Sequence, residues 1–143
     1  MIHLYKNPAS RLVFCAFEGD VSDQQLLDHL QRYNQQYGSI EGLYEFCDLR
    51  AITEADGLNV STLLEVAEQD YHRPRLAGGK LALLATSPLT FGLARAYQSI
   101  AEMGPNSVRI IVTDNEDEAI RFLCCTEDDL NFMRQQRRKW GLD

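Results

Sequence analysis

Nucleophilic, metal-ligating and phosphate-cradling residue types all occur in this chain, yet few stand at the spacing their chemistry requires. Gly78-Gly79-Lys80 has the composition of a phosphate loop. Such a loop must leave a strand and open a helix, so that backbone N–H groups and the helix dipole meet the phosphate. Here the glycines lead into a strand pattern, and no Gly-x-Gly-x-x-Gly occurs anywhere. His3, His29 and His72 are scattered, none with a second histidine at ligand spacing, so no metal site is expected. Cys15 and Cys47 sit inside apolar runs and read as small buried hydrophobes. Cys124 and Cys125 are adjacent, which matches neither a zinc motif nor a Cys-x-x-Cys redox pair. They read as the end of a helix with one thiol packed inward, a vicinal disulfide or thiol sensor being the alternative. The carboxylates Asp114, Glu116, Asp117 and Glu118 lack the glycine and spacing of a calcium loop and suit the positive end of a helix dipole. Ser87 precedes Pro88, the pattern of an N-cap followed by proline at the first helical position, which explains the serine without chemistry. No catalytic residue, metal or cofactor is expected.

Composition narrows the field further. The 143 residues suit one domain with a real core, 45% of them hydrophobic and 24% charged. A balance of 14 Lys and Arg against 21 Asp and Glu gives a net charge of −7, which speaks against nucleic acid as a partner. No apolar run approaches the roughly 20 residues that span a bilayer. Met-Ile-His-Leu-Tyr-Lys lacks the layout of a signal peptide, so a cytoplasmic location is expected. The last ten residues carry +3 and the rest −10. Arg134, Arg137, Arg138 and Lys139 are expected on a solvated face near a helix C-terminus, an acidic partner or the protein's own acidic surface being the alternatives.

The elements that must position these residues follow from periodicity. Ile2 to Lys6 and Arg11 to Glu18 read as strands of a hairpin around the turn Asn7-Pro8-Ala9-Ser10. Ser22 caps a helix carrying Leu26, Leu27, Leu30, Tyr33 and Tyr37 on one face, stopped by Gly38. A strand over Leu43 to Asp48 and a loop from Leu49 to Gly57 come next. A helix from Leu58 to Tyr71 ends at His72-Arg73-Pro74-Arg75. Lys80 to Ala85 is short and nearly all apolar, as a strand covered on both faces would be. A helix from Pro88 to Met103 is broken by Gly104-Pro105-Asn106, and Val108 to Thr113 is the last strand. Thr113 or Asp114 caps a further helix, and Thr126 with Asp129 caps a final one ending near Trp140-Gly141. The order β-β-α-β-α-β-α-β-α-α predicts a single α/β domain, one mixed sheet packed by helices.

Two stretches resemble a known family. Glu45-Phe-Cys-Asp-Leu-Arg-Ala-Ile-Thr-Glu-Ala-Asp-Gly-Leu58 is similar to the signature of STAS domains, the anti-sigma-factor antagonists, whose Asp-Ser-x-Gly turn at a helix start carries a regulatory phosphoserine. Lys80-Leu-Ala-Leu-Leu-Ala-Thr-Ser-Pro-Leu-Thr-Phe-Gly-Leu-Ala-Arg-Ala-Tyr97, with the strand and acidic helix start behind it, resembles the SpoIIAA-like branch of that superfamily. The likeness covers about residues 2 to 125, so a STAS-like domain over 1–125 and a C-terminal helical extension of it over 126–143 are expected. Overlaying Glu54-Ala55-Asp56-Gly57 on Asp-Ser-x-Gly puts Ala55 at the phosphoacceptor position. Alanine has no hydroxyl, so the classical switch is not carried over, while Glu54 and Asp56 supply negative charge at the same helix start.

The resemblance implies a non-enzymatic interaction or regulatory module. Its expected surface comprises Glu54, Ala55, Asp56, Gly57 and Asn59 with Ser87, Phe91 and Arg95 of the neighbouring segment. The last two are four apart on one helix face. The partner would be another protein or a second copy in a homodimer. A small apolar ligand or lipid, held between sheet and helices as in SEC14-like relatives, is the alternative. An enzyme using Ser87, Asp48 or Asp114 at the strand ends rests only on the general habit of α/β sheets.

Overall fold

Alternation along the second strand decides the architecture. Val13, Cys15 and Phe17 are buried on one side of the sheet and Leu12 and Phe14 on the other, so both faces must be covered. The computed structural model describes residues 1–72, 76–104 and 108–142. Its elements are β1 (Ile2–Lys6), β2 (Leu12–Asp20), α1 (Asp23–Tyr37), β3 (Tyr44–Glu54), α2 (Val60–His72), β4 (Lys80–Leu84), α3 (Pro88–Ala101), β5 (Arg109–Thr113), α4 (Glu116–Phe122) and α5 (Glu127–Trp140). The strands form one sheet in the order β1-β2-β3-β4-β5. β1 pairs antiparallel with β2 and the rest are parallel. This is the expected mixed sheet, in the expected order.

Because each crossover moves one strand further along the sheet, α1, α2 and α3 all land on one face. There Leu26, Leu30 and Tyr33 of α1, Leu63, Val66 and Ala67 of α2, and Ala94 and Tyr97 of α3 pack on Val13, Cys15, Cys47, Leu81 and Leu83. α4 and α5 cover the opposite face with Ala119, Leu123, Phe132 and Met133 against Leu12, Phe14, Phe46, Ala82 and Leu84. The final helix is stitched to the first hairpin. Trp140 stacks on His3 with ring centroids 4.8 Å apart and also faces Phe14 at 5.2 Å. Asn7 Nδ2 donates to Asp129 at 2.9 Å and to Asp128 at 3.0 Å. Residues 127–140 therefore complete the second layer of the core.

Three boundaries differ from the periodicity reading. β3 runs on to Glu54 where a loop was expected from Leu49. The cause is β2, which continues to Asp20 and supplies partners for Ala51, Ile52 and Glu54 across two register irregularities. α2 consequently starts at Val60, two residues later than Leu58. α4 is capped by Asn115, whose side chain accepts from the Glu118 N–H. Thr113 instead accepts from the Asn115 N–H and donates its hydroxyl to Glu118. The expected stop at Arg73-Pro74-Arg75 and the break at Pro105-Asn106 lie outside the described residues, and α3 is helical to Ala101.

Candidate binding site at the carboxyl end of the sheet

Four parallel strands put their carboxyl ends together, and with them the first turns of α1, α2, α3 and α4. Ligands of open α/β sheets meet the protein at this edge. Residues 55–59, between β3 and α2, are laced to the start of α1. The Val21 N–H donates to the Glu54 carbonyl and the Asp23 N–H to the Gly57 carbonyl, both at 3.0 Å. Asp23 in turn accepts the backbone N–H and the carboxamide of Asn59, each at 2.8 Å. Those bonds, the backbone one foremost, hold the Asp23 carboxyl below the usual carboxylate range. Gly57 passes so close that an added Cβ would sit 3.3 Å from the Ser22 Cβ.

Within this frame Glu54, Asp56, Gly57 and Asn59 are exposed and Ala55 is half-buried. The acidic pair does not sit at the helix start as expected. Glu54 closes β3, Asp56 stands in the following turn, and the first turn of α2 holds no acidic residue. On the neighbouring segment, Ser87 caps α3, accepting the Thr90 N–H at 3.1 Å and sharing a 2.8 Å bond with its hydroxyl. That is the role its proline neighbour predicted. Phe91 is half-buried against the helix-covered core, and the exposed Arg95 guanidinium lies 5.7 Å over its ring. Asn59 bonds to Asp23 and Ser87 to Thr90; what the two segments share is a cavity wall.

That cavity, about 80 Å³, lies between the sheet and α1, α2 and α3. Ala55, Leu58, Thr90, Leu93 and Ala94 line its outer part, and Leu81, Leu83, Leu63 and Val66 its inner part. Periodicity could not foretell that His29, Glu45 and Cys47 also stand in its wall. Glu45 occupies a strand position that alternation assigns to the core, which was the one available signal. At the starts of the two helices, Val60 is 55% exposed and Leu89 53% exposed. They open α2 and α3, two helices that pack side by side.

On the opposite face, Asp48 is held by Arg50 and Arg137 at 2.9 and 3.0 Å, and both arginines also reach Glu116. Arg137 thus lies against the protein's own acidic side chains and over the Phe14 ring, where a solvated face was expected. Of the residues of the enzyme reading, Asp48 is engaged in this ion-pair network and Ser87 in the cap. Cys125 packs against the second core layer, and burial, then Asp129 and Cys124, push its thiol up to about 12. A thiol so held is protonated at neutral pH, which argues against a reactive sensor there.

The chain superposes on an uncharacterised protein of the DUF3478 family from Shewanella loihica PV-4, which has a SpoIIAA-like fold, with a TM-score of 0.56. The match covers 87% of this chain and 93% of that one. This chain has a SpoIIAA-like fold. Sequence identity over the match is 12%, so the likeness is one of fold alone. No family model matches the chain, and no curated protein matches it significantly in sequence. Among the described residues, no helix is long and apolar enough to cross a membrane. Ala55, which the sequence overlay set at the phosphoacceptor position, is half-buried in the cavity wall.

Proposed function

We propose that this SpoIIAA-like domain is a non-enzymatic interaction module, and that it recognises a protein partner through the carboxyl end of its sheet. The observation that carries this reading is the pair of exposed aliphatic side chains, Val60 and Leu89, on the adjacent first turns of α2 and α3. Single exposed aliphatics are commonplace. Two on the first turns of helices that pack side by side, with Leu58 and Phe91 half-buried in the same segments, offer apolar surface that a partner would cover. Glu54 and Asp56 border it with negative charge, so the complementary surface is apolar with a basic rim. Neither acid needs a phosphate to supply that charge.

Cavity volume weighs against the lipid-carrier alternative. Sites for small organic molecules occupy on the order of 300 Å³ and upward. A space of about 80 Å³ accepts a few heavy atoms and no acyl chain. The double variant Val60→Glu, Leu89→Glu keeps both helices, because both positions are solvent-facing. Immobilised wild-type protein should capture a partner from native lysate, and the purified partner should bind the variant at least about 100-fold more weakly, since buried apolar anchors dominate interface energy. Undiminished binding of the same partner would remove this surface from the account.

A further inference from the structure

Four side chains bearing metal-ligating atoms converge inside the helix-covered core, beneath the proposed recognition surface. Cys15 of β2 and Cys47 of β3 are register partners, so their side chains leave the sheet on the same face. Glu45 precedes Cys47 by two residues on β3 and shares that face. The two Sγ atoms and a Glu45 carboxylate oxygen all lie within 4.8 Å of one another. His29 of α1 closes the group from above, with Nε2 3.9 Å from Cys15 Sγ. Exposures are 0% for Cys15, 1% for Glu45, 3% for Cys47 and 4% for His29.

We propose that Cys15, His29, Glu45 and Cys47 form a structural zinc site with two thiolate ligands, one imidazole and one carboxylate. Around a tetrahedral zinc, ligand atoms stand about 3.3–3.8 Å apart, as Zn–S near 2.3 Å and Zn–N or Zn–O near 2.0–2.2 Å require. The separations among Cys15, Glu45 and Cys47, at most 4.8 Å, exceed that by no more than about 1.5 Å, and His29 Nε2 stands 3.9 Å from Cys15 Sγ, so rotation of the Glu45 and His29 side chains would bring the four onto one ion. This ligand set favours zinc over magnesium or calcium, whose hard ions take oxygen shells. Three of the ligands sit on the central strands β2 and β3, whose backbone positions the ladder fixes. With all four positions supplied by protein, the site is closed and ties α1 to the sheet; it offers no place for a reacting water. The cavity, whose wall includes His29, Glu45 and Cys47, reaches Ala55 and Leu58 at the carboxyl end and gives the ion a route in. Each thiol that becomes a ligand releases its proton to solvent, with no change of oxidation state, so affinity rises with pH.

The test uses the full chain under reducing conditions in a Cys124→Ser, Cys125→Ser background, which removes the two thiols outside the cluster. Titration with Co²⁺ should give one ion per chain, with thiolate-to-cobalt charge-transfer absorption and the strong visible bands of tetrahedral cobalt, both displaced by Zn²⁺. Cys47→Ala should abolish the charge-transfer band and weaken binding at least about 100-fold, more than loss of an outer-shell partner costs. Glu45→Gln keeps volume and both thiols, and it decides the matter if circular dichroism shows that the alanine variant does not fold: its cobalt affinity should fall at least about 10-fold with the charge-transfer band retained. A background protein that takes up no cobalt, or a spectrum unchanged by both variants, overturns the site.

Discussion

Asp129 shows how one side chain can carry several structural duties. Its Oδ1 accepts the Ser10 hydroxyl at 2.6 Å and Asn7 Nδ2 at 2.9 Å, and its Oδ2 accepts the Thr126 N–H at 3.1 Å. With Thr126 it forms the capping box of α5, as the sequence spacing predicted, but the bonds to the first hairpin were invisible there. Burial works to raise its pKa, and the bonds from Ser10, Thr126 and Asn7 outweigh it, so the carboxyl lies below its usual value. A depressed folded pKa means stability that is present above the unfolded value, about 3.9, and lost as pH falls through the folded one. Asp129→Asn should therefore cost about 1 kcal/mol or more at neutral pH, because an NH2 that cannot accept replaces one carboxylate oxygen and the bonds to the other lose their charge. The gap between wild type and variant should close from about pH 4 downward, read as urea midpoints across an acid series. Parallel pH profiles would contradict this.

At the scale of elements, patterning found the strands and helices of the described residues and misplaced the one boundary that shapes the site. β3 extends through Arg50, Thr53 and Glu54, polar residues that no alternation marks as strand; only the long β2 beside it makes them one. The same limit hid the Cys15–Glu45–Cys47–His29 cluster. Its members come from two strands and a helix, and the register that pairs Cys15 with Cys47 is written in no local motif. Ser87 was legible because capping is local, and Arg137 was not, because Asp48 and Glu116 reach it across the fold. Gly78-Gly79, which first suggested a phosphate loop, has a steric purpose: a Cβ on Gly79 would lie 1.8 Å from the Leu43 carbonyl oxygen. That is backbone against backbone at the entrance to β4, with no flexible side chain to yield. Gly79→Ala should destabilise the domain by about 3 kcal/mol or more, measured by chemical denaturation. A loss under about 1 kcal/mol would show that the β3–β4 edge adjusts freely.

For the whole molecule, the two covered faces divide the labour. α4 and α5 bury the far side of the sheet and neutralise part of the acidic body through Arg137, while the proposed recognition surface lies at the carboxyl end, by the first turns of α2 and α3. The SpoIIAA-like fold supplies the arrangement of strand ends and helix starts; in the proposed reading the residues on them, Val60 and Leu89 with Glu54 and Asp56, supply the chemistry. Amide hydrogen exchange of the free protein and of its complex with the captured partner tests this division most directly. Protection on binding should fall on residues 54–60 and 86–95, with α4 and α5 exchanging as in the free protein. Protection confined to α4 and α5, with both carboxyl-end segments unchanged, would contradict it.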